Sequence, residues 1–117
     1  MLLVGAGVGV TPLRSLLQDL DEQADVAVLL RGSDVASIPL RDELTQEVGR
    51  RGGRIWEALG PRDRIAITAG TLRRAMPDVA QRDVFICGPD AFTESIAAAC
   101  RAAGVPADRI HYESFVF

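Results

Sequence analysis

The sequence has no lysine: all thirteen basic residues among its 117 are arginine. P-loop nucleotide binding and Schiff-base catalysis both depend on a lysine side chain, so both are excluded. Sixteen acidic residues bring the net charge to −3. This mild acidity argues against nucleic acid as the main partner, because binding to a phosphate backbone requires a basic surface.

Cysteine, histidine and long apolar runs are also scarce. The two cysteines, Cys87 and Cys100, make neither a disulfide framework nor a CxxC metal site, which fits a reduced cytoplasmic setting. His111 is the only histidine, and no HExxH or GxSxG motif accompanies it, so neither a metal centre nor hydrolase chemistry is expected. No stretch reaches the ~18 apolar residues of a membrane-spanning helix.

What the sequence does contain is an alternation of apolar runs and amphipathic segments. Its length and its 48% apolar content suit one domain with its own core. Short apolar runs predict strands at residues 2–4, 25–31, 54–59, 83–87 and 109–117. Apolar residues at helical spacing predict helices at 11–20, 39–50 and 90–103, with a brief one capped by Thr71 and stopped by Pro77. This order predicts an α/β domain with a mostly parallel sheet.

A glycine-rich turn follows the first of these strands. Gly5, Gly7 and Gly9 lie where a ligand is expected, because ligands of parallel sheets bind beyond the carboxyl ends of the strands. Glycines let the backbone approach a diphosphate closely, and the N-terminus of the following helix attracts its charge. Thr11 and Pro12 are predicted to be the N-cap and the first residue of that helix. A tight turn without a ligand is the alternative at this point.

The turn does not have the GxGxxG dinucleotide fingerprint, because position 10 is valine and the second strand ends on Arg31 instead of an acidic residue. Arg31 and the pair Arg62 and Arg64 instead present planar guanidinium groups suited to phosphates, although ordinary solvated arginines are the alternative. Cys87 and Gly88, where the fourth strand ends, would let a flat ring stack on the backbone. A simply buried cysteine is the alternative there.

Together these motifs resemble the pyridine-nucleotide domain of the ferredoxin–NADP reductase superfamily. The turn from Gly5 to Pro12 is similar to the family's GxGxxxTP motif, and Cys87-Gly88-Pro89 and the ending HYESF at 111–115 follow in the family's order. The resemblance covers essentially the whole chain and looks closest to bacterial ferric-reductase-like and NADPH-oxidase-like flavin reductases. It implies a three-layer α/β fold, in which a five-stranded parallel sheet of order 3-2-1-4-5 has helices on both faces.

The resemblance also implies a reaction and a site. Hydride would pass from NADPH, or alternatively NADH, to FAD or FMN held mainly by another domain, and electrons would continue to a haem, an iron–sulfur protein or a ferric complex. The implied catalytic residues are Cys87, Glu113 and Phe115, with Phe115 covering the flavin until the nicotinamide displaces it. The implied cofactor-binding residues are Gly5, Gly7, Gly9, Thr11, Pro12, Arg31, Arg62, Gly88 and Pro89, with Arg62 on the adenosine 2′-phosphate.

The flavin-binding domain of that family is absent from residues 1–117, which are expected to form the NAD(P)-binding domain alone. We therefore expect an excised or truncated part of a longer reductase, either in the cytoplasm or on the cytoplasmic side of a membrane-bound parent. Such an isolated domain is expected to bind nucleotide weakly and to be inactive by itself. The alternative function is a nucleotide-sensing or interaction module that keeps the fold without electron transfer.

Overall fold

The computed structural model describes residues 1–61 and 66–115, apart from the side chains at positions 8, 35, 114 and 115. Strands and α-helices alternate through this part of the chain, which confirms the α/β class. In chain order they are β1 (Leu2–Ala6), α1 (Val10–Asp19), β2 (Ala27–Gly32), α2 (Arg41–Arg50), β3 (Arg54–Leu59), α3 (Ala69–Ala75), β4 (Val84–Pro89), α4 (Asp90–Ala102) and β5 (Ile110–Phe115).

The strands form one parallel sheet in the order β3-β2-β1-β4-β5, as expected. The central strand β1 places Leu2 opposite Ala27 of β2 on one side and opposite Val84 of β4 on the other. The strand order reverses here, because the chain first moves outward from β1 to β3 and then adds β4 and β5 on the opposite side. The carboxyl ends of β1, β2 and β4 therefore surround the switch point where ligands of such sheets bind.

Helices cover both faces of the sheet, and each face has its own apolar core. Leu17 of α1 and Val48 of α2 belong to the core of one face. Leu72 of α3 and Ile96 of α4 belong to the core of the other. The three-layer arrangement is thus confirmed. It also explains why the central strands are continuous apolar runs, since a strand covered on both sides needs no polar face.

Two predicted N-caps are wrong, and α2 begins at Arg41 instead of Pro39. α1 begins at Val10 with Gly9 as its N-cap, so Thr11 lies inside the helix and is not its cap. The glycine turn runs directly into the helix, which leaves no place for a separate capping side chain. α3 is capped by Thr68, whose hydroxyl accepts a hydrogen bond from the Thr71 N–H at 3.2 Å. Thr71, the predicted cap, therefore lies about one helical turn after the actual cap. The helix α3 does end before Pro77, as predicted.

Arg51 forms hydrogen bonds around the C-terminus of α1. Its side chain is 3% exposed and donates to the carbonyl oxygens of Leu17, Leu20 and Asp21 at 2.9, 3.3 and 2.7 Å. A helix C-terminus leaves such carbonyls without intrahelical donors. Glu47, one turn earlier on α2, pairs with the same guanidinium at 3.1 Å. Arg51 thereby joins the two helices on this face of the sheet.

The described part of the chain shows no helix that combines the length and the apolar character of a membrane span. Cys87 and Cys100 are free thiols, and both side chains are fully buried. Cys100 lies on the buried face of α4, where its helical spacing predicts it.

Candidate functional site

A cleft of about 680 Å³ lies beyond the carboxyl ends of β1, β2 and β4. Gly7, Arg31 and Pro89 border it, one from each of these strand ends. Thr68 and Phe92 border it from the sides of α3 and α4. The volume falls in the range of roughly 300–1,000 Å³ that is typical of small-molecule sites. Three residues expected at the site therefore meet at one opening.

Gly7 shapes the turn that faces the cleft. Its φ of +57° lies in the left-handed region, which glycine adopts without the steric cost that other residues bear. A Cβ placed on Gly7 would meet no heavy atom within 4 Å. Glycine is thus required here by conformation and not by crowding, and its backbone is open to a ligand.

At Gly9 and Gly5, glycine is required because a Cβ would clash with neighbouring atoms. A Cβ on Gly9 would lie 2.6 Å from the carbonyl carbon of Cys87 and 2.8 Å from the nitrogen of Gly88. A Cβ on Gly5 would lie 2.6 Å from Cδ1 of Leu13 in α1. Gly9 therefore lets the turn pack directly on the backbone of β4, and Gly5 lets α1 pack on β1. These two glycines allow the close packing that shapes the site.

The helices α1, α2 and α4, which follow β1, β2 and β4 at this edge of the sheet, have no side-chain cap among the described residues. Their first N–H groups lack intrahelical acceptors, and the helix dipole favours negative charge at this end. In contrast, α3 is capped by Thr68. Thr11 is exposed in the first turn of α1, with Pro12 half-buried beside it. The uncapped N-termini of α1 and α4, next to the Gly7 and Pro89 borders of the cleft, thus suit a ligand that carries anionic groups.

Arg31 brings a positive charge to the cleft. Its guanidinium donates hydrogen bonds to the carbonyl oxygens of Gly32, Ala58 and Gly60. No carboxylate within residues 1–61 and 66–115 pairs with it. A guanidinium that borders a cleft without a carboxylate partner favours an anionic ligand.

The side chain of Cys87 lies in the core and not at the cleft. It is 0% exposed and belongs to the apolar core that α1 covers. Burial, and to a lesser degree the charge of Glu113 opposite it on β5, raises the pKa of the thiol to about 11. Burial therefore favours the protonated form of the thiol, and the side chain does not face the cleft. What Cys87 contributes to the site is the backbone on which Gly9 rests.

Phe92 packs against the core, as its helical spacing predicts, and it also faces the cleft. It borders the cleft and covers Gly88, because a Cβ on Gly88 would lie 2.7 Å from Cδ2 of the ring. Pro89, next to Gly88, also borders the cleft. The signal that could have identified Phe92 is its place in the first turn of α4, since helical side chains point back toward the N-terminus of their helix.

For three expected site residues, the described part of the chain shows no contact with the cleft. Glu113 is exposed on β5, opposite Cys87. The backbone of Phe115 pairs with Pro89, while its side chain lies outside the described part of the structure. Arg62 also lies outside the described residues. The strand register places Glu113 and the Phe115 backbone beside β4, and the expected roles of all three residues stay predictions.

Comparisons with known proteins agree with this architecture. The ferredoxin reductase component of 3-ketosteroid-9-alpha-monooxygenase from Mycolicibacterium smegmatis is 31% identical over 97% of this chain and 33% of its own length. A flavohemoprotein from Vibrio cholerae is 27% identical over 98% of this chain and 30% of its own. The crystal structure of flavohemoglobin from Malassezia yamatoensis with bound FAD and heme matches with a TM-score of 0.82 and 26% identity, over 98% of this chain and 31% of that one. No protein-family model matches.

The chain is similar to the FAD/NAD-binding reductase domains of the ferredoxin–NADP reductase superfamily. It spans 19% of the length of the relative named oxidoreductase NdmD, from Pseudomonas putida, and 33% of the length of the monooxygenase reductase component. In this chain the glycine turn and the Cys87-Gly88-Pro89 motif are far apart in sequence. The structure brings them into contact through Gly9.

Proposed function

We propose that this domain binds NADPH, or alternatively NADH, and positions the nicotinamide for hydride transfer to a flavin held by another domain. The proposal depends on one observation, the convergence at a single cleft of the open Gly7 turn, Arg31 and the Pro89 end of β4. These three features come from three strands whose order reverses at this point, the position at which α/β sheets bind dinucleotides.

The turn and the arginine fit the anionic part of such a nucleotide. The Gly7 backbone has open space beside it, and the uncapped start of α1 offers N–H donors to a diphosphate. We assign Gly9 and Thr11, at the beginning of α1, to the diphosphate and the neighbouring ribose. Arg31 adds a positive charge at the same cleft.

The end of β4 fits the flat part of the nucleotide. Gly88 and Pro89 form a stretch of backbone beside the Phe92 ring, with room for an aromatic ring in the cleft. Hydride transfer from a nicotinamide requires mainly that its ring and the flavin be held at roughly 3–3.5 Å, so positioning is the protein's contribution. The Cys87 thiol, protonated and buried, packs behind this backbone and moves no proton.

Glu113 and Phe115 complete the proposal at the edge of the sheet. Their strand β5 runs beside the Cys87-Gly88-Pro89 motif, with Glu113 opposite Cys87 and Phe115 opposite Pro89. We propose that Glu113 orients the reacting rings. We further propose that Phe115 covers the flavin and gives way to the nicotinamide.

The whole protein is proposed to be a flavin-dependent reductase. Its partners would be a flavin-binding domain and, beyond it, a haem, an iron–sulfur protein or a ferric complex as electron acceptor. The names of the relatives include a flavohemoprotein and a ferredoxin reductase component, which supports acceptors of the first two kinds. Because NAD(P)H is a cytoplasmic reductant, we place the domain in the cytoplasm or on the cytoplasmic side of a membrane-bound parent.

Calorimetric titration of the chain with NADP⁺ and NAD⁺ tests the binding part of the proposal. We expect NADP⁺ to bind more tightly, and we expect Arg62→Ala to weaken NADP⁺ by about tenfold, the cost of one charge-assisted hydrogen bond. Arg101→Ala, which removes an exposed arginine in the last turn of α4, is the control and should leave both affinities unchanged. If neither nucleotide binds at millimolar concentration, the proposed function is wrong.

An experiment on the intact parent protein distinguishes the reductase function from the nucleotide-sensing alternative. Anaerobic addition of NADPH should reduce the bound flavin, which is followed by the loss of its visible absorbance. Nucleotide binding without any change in the flavin spectrum would instead support the sensing module.

A further inference from the structure

A second recess lies on the face of the sheet that α3 and α4 cover. Leu29 of β2 packs against the core on this face but is only half-buried, whereas its chain neighbours Val28 and Leu30 are fully buried. A strand inside a parallel sheet is normally covered on both faces. The sheet around Leu29 is therefore only partly covered.

The short length of α3 explains the gap. Its seven residues span about 10 Å, whereas the six residues of β3 span about 20 Å. The recess that remains has a volume of about 230 Å³. Leu29 and Trp56, which are opposite each other in the sheet, border it from the strands, and Ala75 borders it from α3. The small side chains of Ala58 and Ala75 leave this space open.

The border of the recess is almost entirely apolar. Thr71 and Glu57 are the polar residues among those that the structure describes there. The Thr71 hydroxyl already shares a hydrogen bond of 3.0 Å with the hydroxyl of Thr68, and the Glu57 carboxylate pairs with Arg41 at 2.7 Å. A ligand in the recess would therefore find neither a free charge nor an unpaired polar group among these residues. Its own chemistry must be apolar and uncharged, since a buried polar group without a partner costs free energy.

The volume sets the size of that ligand. An apolar cavity of about 150 Å³ is known to bind benzene, so the recess of about 230 Å³ accommodates one ring with a small substituent. The neighbouring nucleotide cleft is much larger, at about 680 Å³. Trp56 presents an indole to the recess, and aromatic rings pack favourably on one another in offset or edge-to-face arrangements.

We propose that this recess is a binding site for a neutral apolar molecule of a single ring, held between Trp56 of β3 and Ala75 of α3. The site does not depend on the proposed nucleotide function, because neither the Gly7 turn nor Arg31 borders it. Ala66 and Ile67 border both cavities, so the two sites are neighbours. A test must therefore distinguish a ring in the recess from a ring in the cleft.

The fluorescence of Trp56 provides that test, because this is the only tryptophan in the chain. Bromobenzene is the probe, since its heavy atom quenches indole emission on contact, and toluene is the competitor that does not quench. Ala75→Leu places a larger apolar side chain in the recess. Ala91→Leu makes the same change at the border of the cleft and is the matched control. Circular dichroism establishes that each variant is folded.

We expect bromobenzene to quench Trp56 saturably in the wild type, with toluene reversing the effect. Half-saturation is expected at about 1 mM or below, which is within the affinity that a ligand of this size can reach. Ala75→Leu should weaken the binding of bromobenzene by about tenfold or more, because the leucine side chain takes the place of several ring carbons. Ala91→Leu should bind bromobenzene as the wild type does.

Other results would overturn the inference. Quenching that rises linearly with bromobenzene, and that toluene does not reverse, would show only collisions with unbound probe. Quenching lost in Ala91→Leu but kept in Ala75→Leu would place the ring in the nucleotide cleft. If Ala75→Leu does not fold, Ala58→Val fills the recess from β3 with a residue that suits a strand, and an unchanged affinity in that variant rejects the site. A chain that binds bromobenzene in the recess but binds neither nucleotide would reject only the proposed function.

Discussion

Replacing Gly9 by alanine should disrupt the contact between the glycine turn and β4. The φ of Gly9 is −63°, which any residue adopts, so the cost comes from space alone. The added Cβ would lie 2.6 and 2.8 Å from backbone atoms of Cys87 and Gly88. A backbone in the centre of a sheet cannot rotate away as a side chain does. We therefore expect a loss of about 3 kcal/mol in the free energy of unfolding, at the upper end of the usual cost of overpacking.

Two other glycines supply matched controls. Gly7→Ala adds no clash but places a Cβ at a φ of +57°, for which the expected cost is about 1–2 kcal/mol. Gly49→Ala lies inside α2 with no heavy atom within 4 Å of the new Cβ. It should stabilise the chain by about 0.5 kcal/mol, because alanine is the better helix former.

Urea unfolding followed by circular dichroism measures all three variants against the wild type at constant m value. The expected order of stability is Gly49→Ala, wild type, Gly7→Ala and then Gly9→Ala. If Gly9→Ala is no less stable than Gly7→Ala, the turn does not rest on the backbone of β4, and the reasoning that joins the two motifs fails.

Two further predictions concern stability. Arg51→Ala should lower the free energy of unfolding by about 2–3 kcal/mol, because three carbonyl groups around the end of α1 lose their charged donor. Arg50→Ala, whose side chain is 54% exposed, should cost clearly less because exposed ion pairs contribute little to stability, and equal losses in the two variants would contradict this. Stability should also fall as pH rises from about 9 toward 11, because burial raises the pKa of Cys87 and Cys100 to about 11 and the unfolded thiols lose their protons at lower pH. Replacing both cysteines by alanine should flatten that decline in pH-dependent urea titrations, and an equally steep decline in the double variant would show that other groups cause it.

Much of the fold could be predicted because its signals are local. The spacing of Leu13, Leu17, Leu44 and Val48 identifies helix faces that the structure buries, and the apolar run at 54–59 has the same bounds as β3. Errors occurred at the helix starts. Thr11 and Thr71 are good capping residues, but whether a residue caps a helix depends on where the preceding backbone becomes helical, which composition does not reveal.

The sequence by itself determined the class of the fold, the order of the strands through the family resemblance, and the motifs that lie at the strand ends. These depend on side-chain periodicity and on short stretches of chain. The tertiary structure alone decided which glycine is open and which is crowded, that the Cys87 thiol is buried, that Phe92 borders the cleft, and that Arg31 holds Gly60. Each of these is a contact or an exposure created when strands distant in sequence become neighbours, so no local pattern could specify it.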